Sequence, residues 1–191
     1  PQLDVQLFSS TVDFTLESYY ASVEALVLGA LLAIVVVFWF LRDWRATLIS
    51  AIAMPLSVIP TFFLMQWLGF SLNLITLLGL SLVVGILVDD AIVEVENIVR
   101  HIRMGKSPLR AALDAADEIG LAVIATTLAI VAVFVPVSFM SSVPGQFFRQ
   151  FGISVAIAVV FSLLVARLLT PGVGAYFLKA RSREDLEKRT A

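Results

Sequence analysis

Gly79-Leu-Ser-Leu-Val-Val-Gly85-Ile-Leu-Val-Asp89-Asp90-Ala-Ile-Val-Glu94-Val-Glu96-Asn97 is the stretch that decides how this chain folds. It carries two adjacent carboxylates inside an apolar run, about Leu72 to Val99, long enough for the ~20 residues that a bilayer core demands. On a 3.6-residue helix Ser81, Gly85, Asp89 and Glu96 share one stripe, while Asp90, Glu94 and Asn97 share the next. Small residues on the Asp89 stripe are expected to let another helix approach closely, turning the acids into a bundle rather than toward lipid. A plainer arrangement fits the spacing too. Leu72 to Val88 alone is a minimal span, and the pair would then cap a helix end in water. The apolar pattern continuing through Ala91, Ile92, Val93 and Val95 favours a longer, tilted helix with the pair inside the membrane.

The rest of the chain agrees with a membrane setting. Of 191 residues, 60% are hydrophobic, and the mean hydropathy is +0.98. A soluble domain holds roughly 45–50% apolar residues. The excess is gathered in runs without the polar faces that a soluble core helix shows. The fold class expected is all-α membrane: a bundle of about five transmembrane helices plus a short amphipathic cytoplasmic surface helix. A net charge of −2 and the lack of any basic stretch interleaved with aromatics give nucleic-acid binding no support. There is no cysteine, so disulfides are excluded. The chain opens without Met, mid-pattern and with no signal peptide, as expected of a piece of something longer.

Working outward, residues 1–20 read as the end of an extramembrane region, with Leu3, Val5 and Leu7 alternating like a strand. Spans follow at about 21–41, 46–68 and 72–99. The first ends in the interfacial aromatics Phe38, Trp39 and Phe40, and the second tolerates Pro55 and Pro60 as membrane helices do. Ser107-Pro108 reads as a helix start, opening an amphipathic surface helix over 107–118. Further spans at 119–140 and 151–178 flank a loop containing Pro144 and Gly145. A charged tail, 179–191, closes the chain. Eleven basic residues fall on the side of the 42–45 turn, the 100–118 segment and the tail, against Arg149 alone on the other. Basic residues favour the cytoplasm, which puts the N-terminus outside and the C-terminus inside.

Asp89 and Asp90 are the candidate functional residues. A charged carboxylate inside a membrane costs at least ~2.5–3.5 kcal/mol. Two neighbours repel and titrate as a coupled pair. A carboxyl group that can gain or lose a basic partner is a proton carrier. Glu94, Glu96 and Asn97 are either supporting polar residues or a solvated helix end. His101, set among arginines, reads as a surface residue without a role. Arg167 lies about twelve residues from its helix end, some 18 Å at 1.5 Å per residue, too deep for easy snorkelling. It is expected to pair with a carboxylate or line a watery cavity. Nothing suggests a metal or organic cofactor; protons would be the coupling ion.

These residues resemble a known family. The run from Gly85 to Asn97 is similar to the fourth transmembrane helix of resistance–nodulation–division (RND) efflux transporters. Phe40-Leu-Arg-Asp-Trp-Arg-Ala-Thr-Leu-Ile, Met54-Pro55, Phe134-Val-Pro136, Arg149-Gln-Phe and Leu169-Thr-Pro171 resemble their neighbouring landmarks. The resemblance covers essentially the whole chain and implies helices two to six of the N-terminal half of a bacterial inner-membrane protein. It further implies export of amphiphilic compounds in exchange for protons, with Asp89 and Asp90 as proton-relay aspartates. Their lysine partner would lie in the second half. Other implied partners are two further copies in a homotrimer, a periplasmic adaptor and an outer-membrane channel, with residues 1–15 ending a periplasmic porter subdomain. The paired aspartates point to the hydrophobe/amphiphile branch rather than the heavy-metal branch, whose methionines line an export path. Met54, Met65, Met104 and Met140 are scattered here. Glu94 departs from the apolar residue common at its position.

Two other classes compete. An intramembrane aspartyl protease needs facing aspartates from different helices, whereas these are adjacent on one. A structural membrane scaffold would leave the acids without a task.

Overall fold

The structure, a computed structural model, describes residues 11–141 and 143–178. These form helices α1 (Thr11–Leu41), α2 (Trp44–Trp67), α3 (Leu74–Arg103), α4 (Pro108–Val137) and α5 (Val143–Leu164). A π-helical segment (Val165–Leu169) leads directly into α6 (Thr170–Phe177). The described residues include no strand. Five helical stretches are long and apolar enough to cross a membrane, the last running through α5, the π segment and α6.

The turns are short and chemically explicit. Asp43 caps α2, its Oδ1 accepting from the backbone N–H of Arg45 and Ala46. Asn73 and Thr76 form a reciprocal capping box at the start of α3. Gly69 and Gly105 follow α2 and α3 at φ +73 and +90, a left-handed backbone that a side chain disfavours. Pro55 and Pro60 each remove a backbone donor from α2. That helix carries a ladder of hydroxyls, Thr47, Ser50, Ser57 and Thr61, each donating to the carbonyl four residues back.

Within the bundle α3 packs against every other helix. The interior is two apolar clusters with a thin waist. One holds Val37, Ile49, Met54, Val95, Ile98 and Ala115; the other holds Met65, Leu80, Val83, Leu87, Val155 and Val159. Between them lies a third, small apolar cluster of Ala53, Ala91 and Val165. The outer surface is crowded with Leu, Val, Ile and Phe, from Leu28 and Leu32 on α1 to Leu121 and Leu128 on α4. Such a surface suits lipid and partner helices, not water.

Three boundaries differ from the sequence expectation. The helix containing the first span begins at Thr11, so residues 11–20 continue it as helix. The alternating residues 3–7 and the tail 179–191 lie outside the described residues. Residues 108–118 are not a separate surface helix but the first three turns of α4, because Ala111, Ala112 and Ala115 pack into the core against α3. The Pro144–Gly145 loop is instead the opening turn of α5, where proline costs no hydrogen bond. The break foreseen at Arg167 and Thr170-Pro171-Gly172 is absorbed by the π segment. There Thr170 N–H and its hydroxyl both reach the carbonyl of Val165.

Candidate functional site

Asp89 and Asp90 are the sixteenth and seventeenth of the 30 residues of α3. At 1.5 Å per residue that helix is about 45 Å long, the thickness of a bilayer with its headgroups, so the pair sits at its midpoint. The two side chains part ways. Asp90 turns inward at the waist and accepts a hydrogen bond from Ser162 Oγ on α5 at 2.8 Å; Ser162 itself is buried. Asp89 is exposed on this chain.

The two stripes differ in the same way. Gly85 and Glu96 are exposed and Ser81 is half-buried, its hydroxyl donating to the carbonyl of Leu77. Nothing lies within 4 Å of where a Cβ on Gly85 would stand. No described helix of this chain makes the close approach expected there. The Asp90 stripe, by contrast, is the buried one. Glu94 is wholly buried and Asn97 is 6% exposed.

Beyond Glu94 the stripe ends in a polar network joining α3 to α4. Asn97 Nδ2 donates to the carbonyl of Ala115 and to Glu118 Oε2. Arg100 donates to Glu118 Oε1 at 2.6 Å and to Asn97 Oδ1. His101 is not the surface residue expected: it is 7% exposed, with Nε2 2.7 Å from Glu118 Oε2 and Nδ1 2.8 Å from Lys106 Nζ. An ammonium only donates, so Nδ1 accepts from Lys106 and the ring proton sits on Nε2, donating to Glu118. Lys106 also pairs with Asp114 at 2.7 Å.

Arg167, from the π segment, is half-buried and donates through Nη1 to the carbonyl of Ala116 on α4. It lies over Gly120, where any side chain would collide with its guanidinium. Arg167 also acts on Glu94 as an opposite charge, although the two form no direct ion pair. Of the methionines, Met54 and Met65 are core packing, while Met104 and Met140 are exposed.

Sequence reasoning missed Ser162, Glu118 and the burial of His101. The signal for His101 was its spacing: Asp90, Glu94, Asn97 and His101 stand at i, i+4, i+7 and i+11, within about 60° on one helical face.

A membrane-length helical bundle with a carboxylate pair at the centre of its middle helix has the make-up of a secondary transporter's membrane domain. The model of the AcrB/AcrD/AcrF family matches residues 1–190, and the chain belongs to this family of RND transporters. It is 45% identical over 180 residues to multidrug resistance protein MdtC of Pectobacterium atrosepticum, covering 94% of this chain and 17% of that protein. It is 46% identical over 166 residues to MdtC of Escherichia coli, covering 87% and 16%, and 46% identical over 167 residues to MdtC of Salmonella heidelberg, likewise covering 87% and 16%. The chain thus spans about a sixth of the length of the curated relatives it matches. Its family is one of multi-pass membrane transporters rather than enzymes.

Proposed function

We propose that this chain is the proton-coupling membrane segment of an RND transporter that exports amphiphilic compounds in exchange for protons. The observation carrying this reading is the split of the acidic pair at mid-helix. Asp90 is held at the waist by Ser162, and Asp89 faces the open side of the bundle. A carboxylate stays at such depth only with a partner or a proton. The open side, lined by Gly85 and Asp89, is where a second half carrying a lysine would dock. Protonation of the pair releases that lysine and lets α3 shift against the other half. This is a two-state element biased by protons.

The basic residues of the Arg42–Arg45 turn and of the segment from Arg100 to Arg110 support a cytoplasmic side for this end of the bundle. The N-terminus is then periplasmic and the membrane is the bacterial inner membrane. The names of the relatives support a drug substrate over a metal ion. Substrate capture, trimer formation, the adaptor and the outer-membrane channel belong to the rest of the transporter.

The test is Asp89→Asn and Asp90→Asn in the full-length transporter, with drug export and membrane insertion measured side by side. Each substitution abolishes export and leaves insertion unharmed. Export retained by both would refute the assignment and favour a scaffold.

A further inference from the structure

Glu94 is the least exposed ionisable group among the described residues and takes no part in the reading above. Its side chain is wholly enclosed, and both carboxyl oxygens lack a hydrogen-bond partner. Leaving a buried polar group unpaired is costly, more so if it is charged, so such a group needs a reason to persist. Its neighbourhood supplies one. One turn before it on the same face is Asp90, about 6 Å away between Cβ atoms at i,i+4 spacing. After it on that face come Asn97 and His101, which reach Glu118, whose side chain is 47% exposed.

The charges around Glu94 come from few elements. The π segment supplies Arg167, which acts on Glu94 as an opposite charge. From α3 come Asp90 and His101, and from α4 comes Glu118. In α2 the only charged residue is Arg45, in its first turn. The acidic residues of α1 lie in its N-terminal half, toward the Asn73 end of the bundle. α5 holds only Arg149, near its start, and α6 holds no charge.

Arg167 is not locked in place. Nη1 donates to the carbonyl of Ala116, but a guanidinium has five N–H donors. It projects from a π turn, a rare geometry frequently found at functional sites.

We propose that Glu94 is a third proton-binding site of this segment, exchanging protons with Asp90 and forming an ion pair with Arg167 whenever it is ionised. This rests on the proton-coupling reading and extends it toward the Glu118 end of the bundle. In the step, the proton leaves the Asp90 carboxyl for the Glu94 carboxylate, directly or through one water. Asp90 becomes the carboxylate and Glu94 the neutral acid. Glu94, now neutral, lets go of Arg167. When it gives the proton up to water at the Glu118 end of that face, its regained charge draws Arg167 back and with it the π segment. The path from the acidic pair to the exposed end is then one face of α3, and each transfer moves a charged side chain on the neighbouring helix.

The experiment uses the full-length transporter in proteoliposomes, with infrared difference spectra in the carboxyl C=O region across pH and drug transport measured over the same range. E94Q is expected to remove one titrating carboxyl band, to flatten the pH profile of transport and to lower its maximum about tenfold. E94D is expected to keep the band and most of the transport. R167L is expected to move the midpoint of the Glu94 band by more than about one pH unit. If E94Q does not accumulate in the membrane, the R167L shift alone decides. An unchanged spectrum and pH profile in E94Q, or an unmoved midpoint in R167L, would overturn the proposal. With D89N and D90N inactive, that result leaves the proton-coupling reading standing. Export surviving in D89N and D90N sinks the wider reading instead.

Discussion

Ser162 on α5 donates to Asp90 on α3 at 2.8 Å, and this neutral hydroxyl fixes a carboxylate at the waist of the bundle. A hydrogen bond to such a group is worth about 1.5–3 kcal/mol. Ser162→Ala therefore loosens Asp90 without removing it. Transport falls about tenfold, the rate equivalent of ~1.4 kcal/mol, while Ser162→Thr, which keeps the hydroxyl, retains most of it. Initial export rates in membrane vesicles check this.

Glu118 holds two partners of unequal weight. Arg100 is half exposed, and such a solvent-screened pair contributes little. His101 is buried, and losing its acceptor leaves a buried N–H unsatisfied at about 1–3 kcal/mol. Glu118→Ala therefore lowers thermal stability in detergent clearly, and Arg100→Ala barely does. Equal losses in the two variants would contradict the assignment of weight to the histidine.

Gly120 lies against the Arg167 guanidinium, with a built Cβ 2.5 Å from Nη2. Two effects oppose each other in Gly120→Ala. Alanine gains about 0.5–1 kcal/mol in a helix, while overpacking costs about 1–3 kcal/mol. The obstructing atoms are the far end of a flexible side chain that can yield, so with Arg167 present the two effects nearly cancel and the melting temperature hardly moves. In an Arg167→Leu background the obstructing group has gone and the full helix gain appears. A double-mutant cycle by thermal melting measures the coupling.

Gly85 is open on this chain. If the open side receives the rest of the transporter, Gly85→Val blocks that approach and abolishes export from the full-length protein with insertion intact. Wild-type export by this variant would place the docking face elsewhere.

The five spans were legible because hydrophobic run length depends on the bilayer alone. The Asp pair stood out for the same reason, being charge where charge is costly. The junctions were harder. Residues 108–118 look amphipathic in isolation, yet their alanines at positions 111, 112 and 115 bury against α3, a tertiary contact that periodicity does not name. Pro144 looks like a loop residue and starts a helix, since an N-terminal turn has no donor to lose. His101 was misread through its basic neighbours in sequence, whereas its environment is set by Glu118 across on α4 and by Lys106 beyond the helix end. Ser162 carried no signal at all, because only the fold brings α5 beside α3.

The π turn at Val165–Leu169 contains one surplus residue relative to an α-helix. Excising a single residue there would regularise the helix and rotate everything from Thr170 onward by about 100° about its axis. Gly174, now seated against Ile98, would swing away and Leu178 would leave its place in the core. The clocking of the last two turns of this bundle is thus set by a one-residue insertion, and the helix end behaves as a gear tooth whose phase a single deletion would advance.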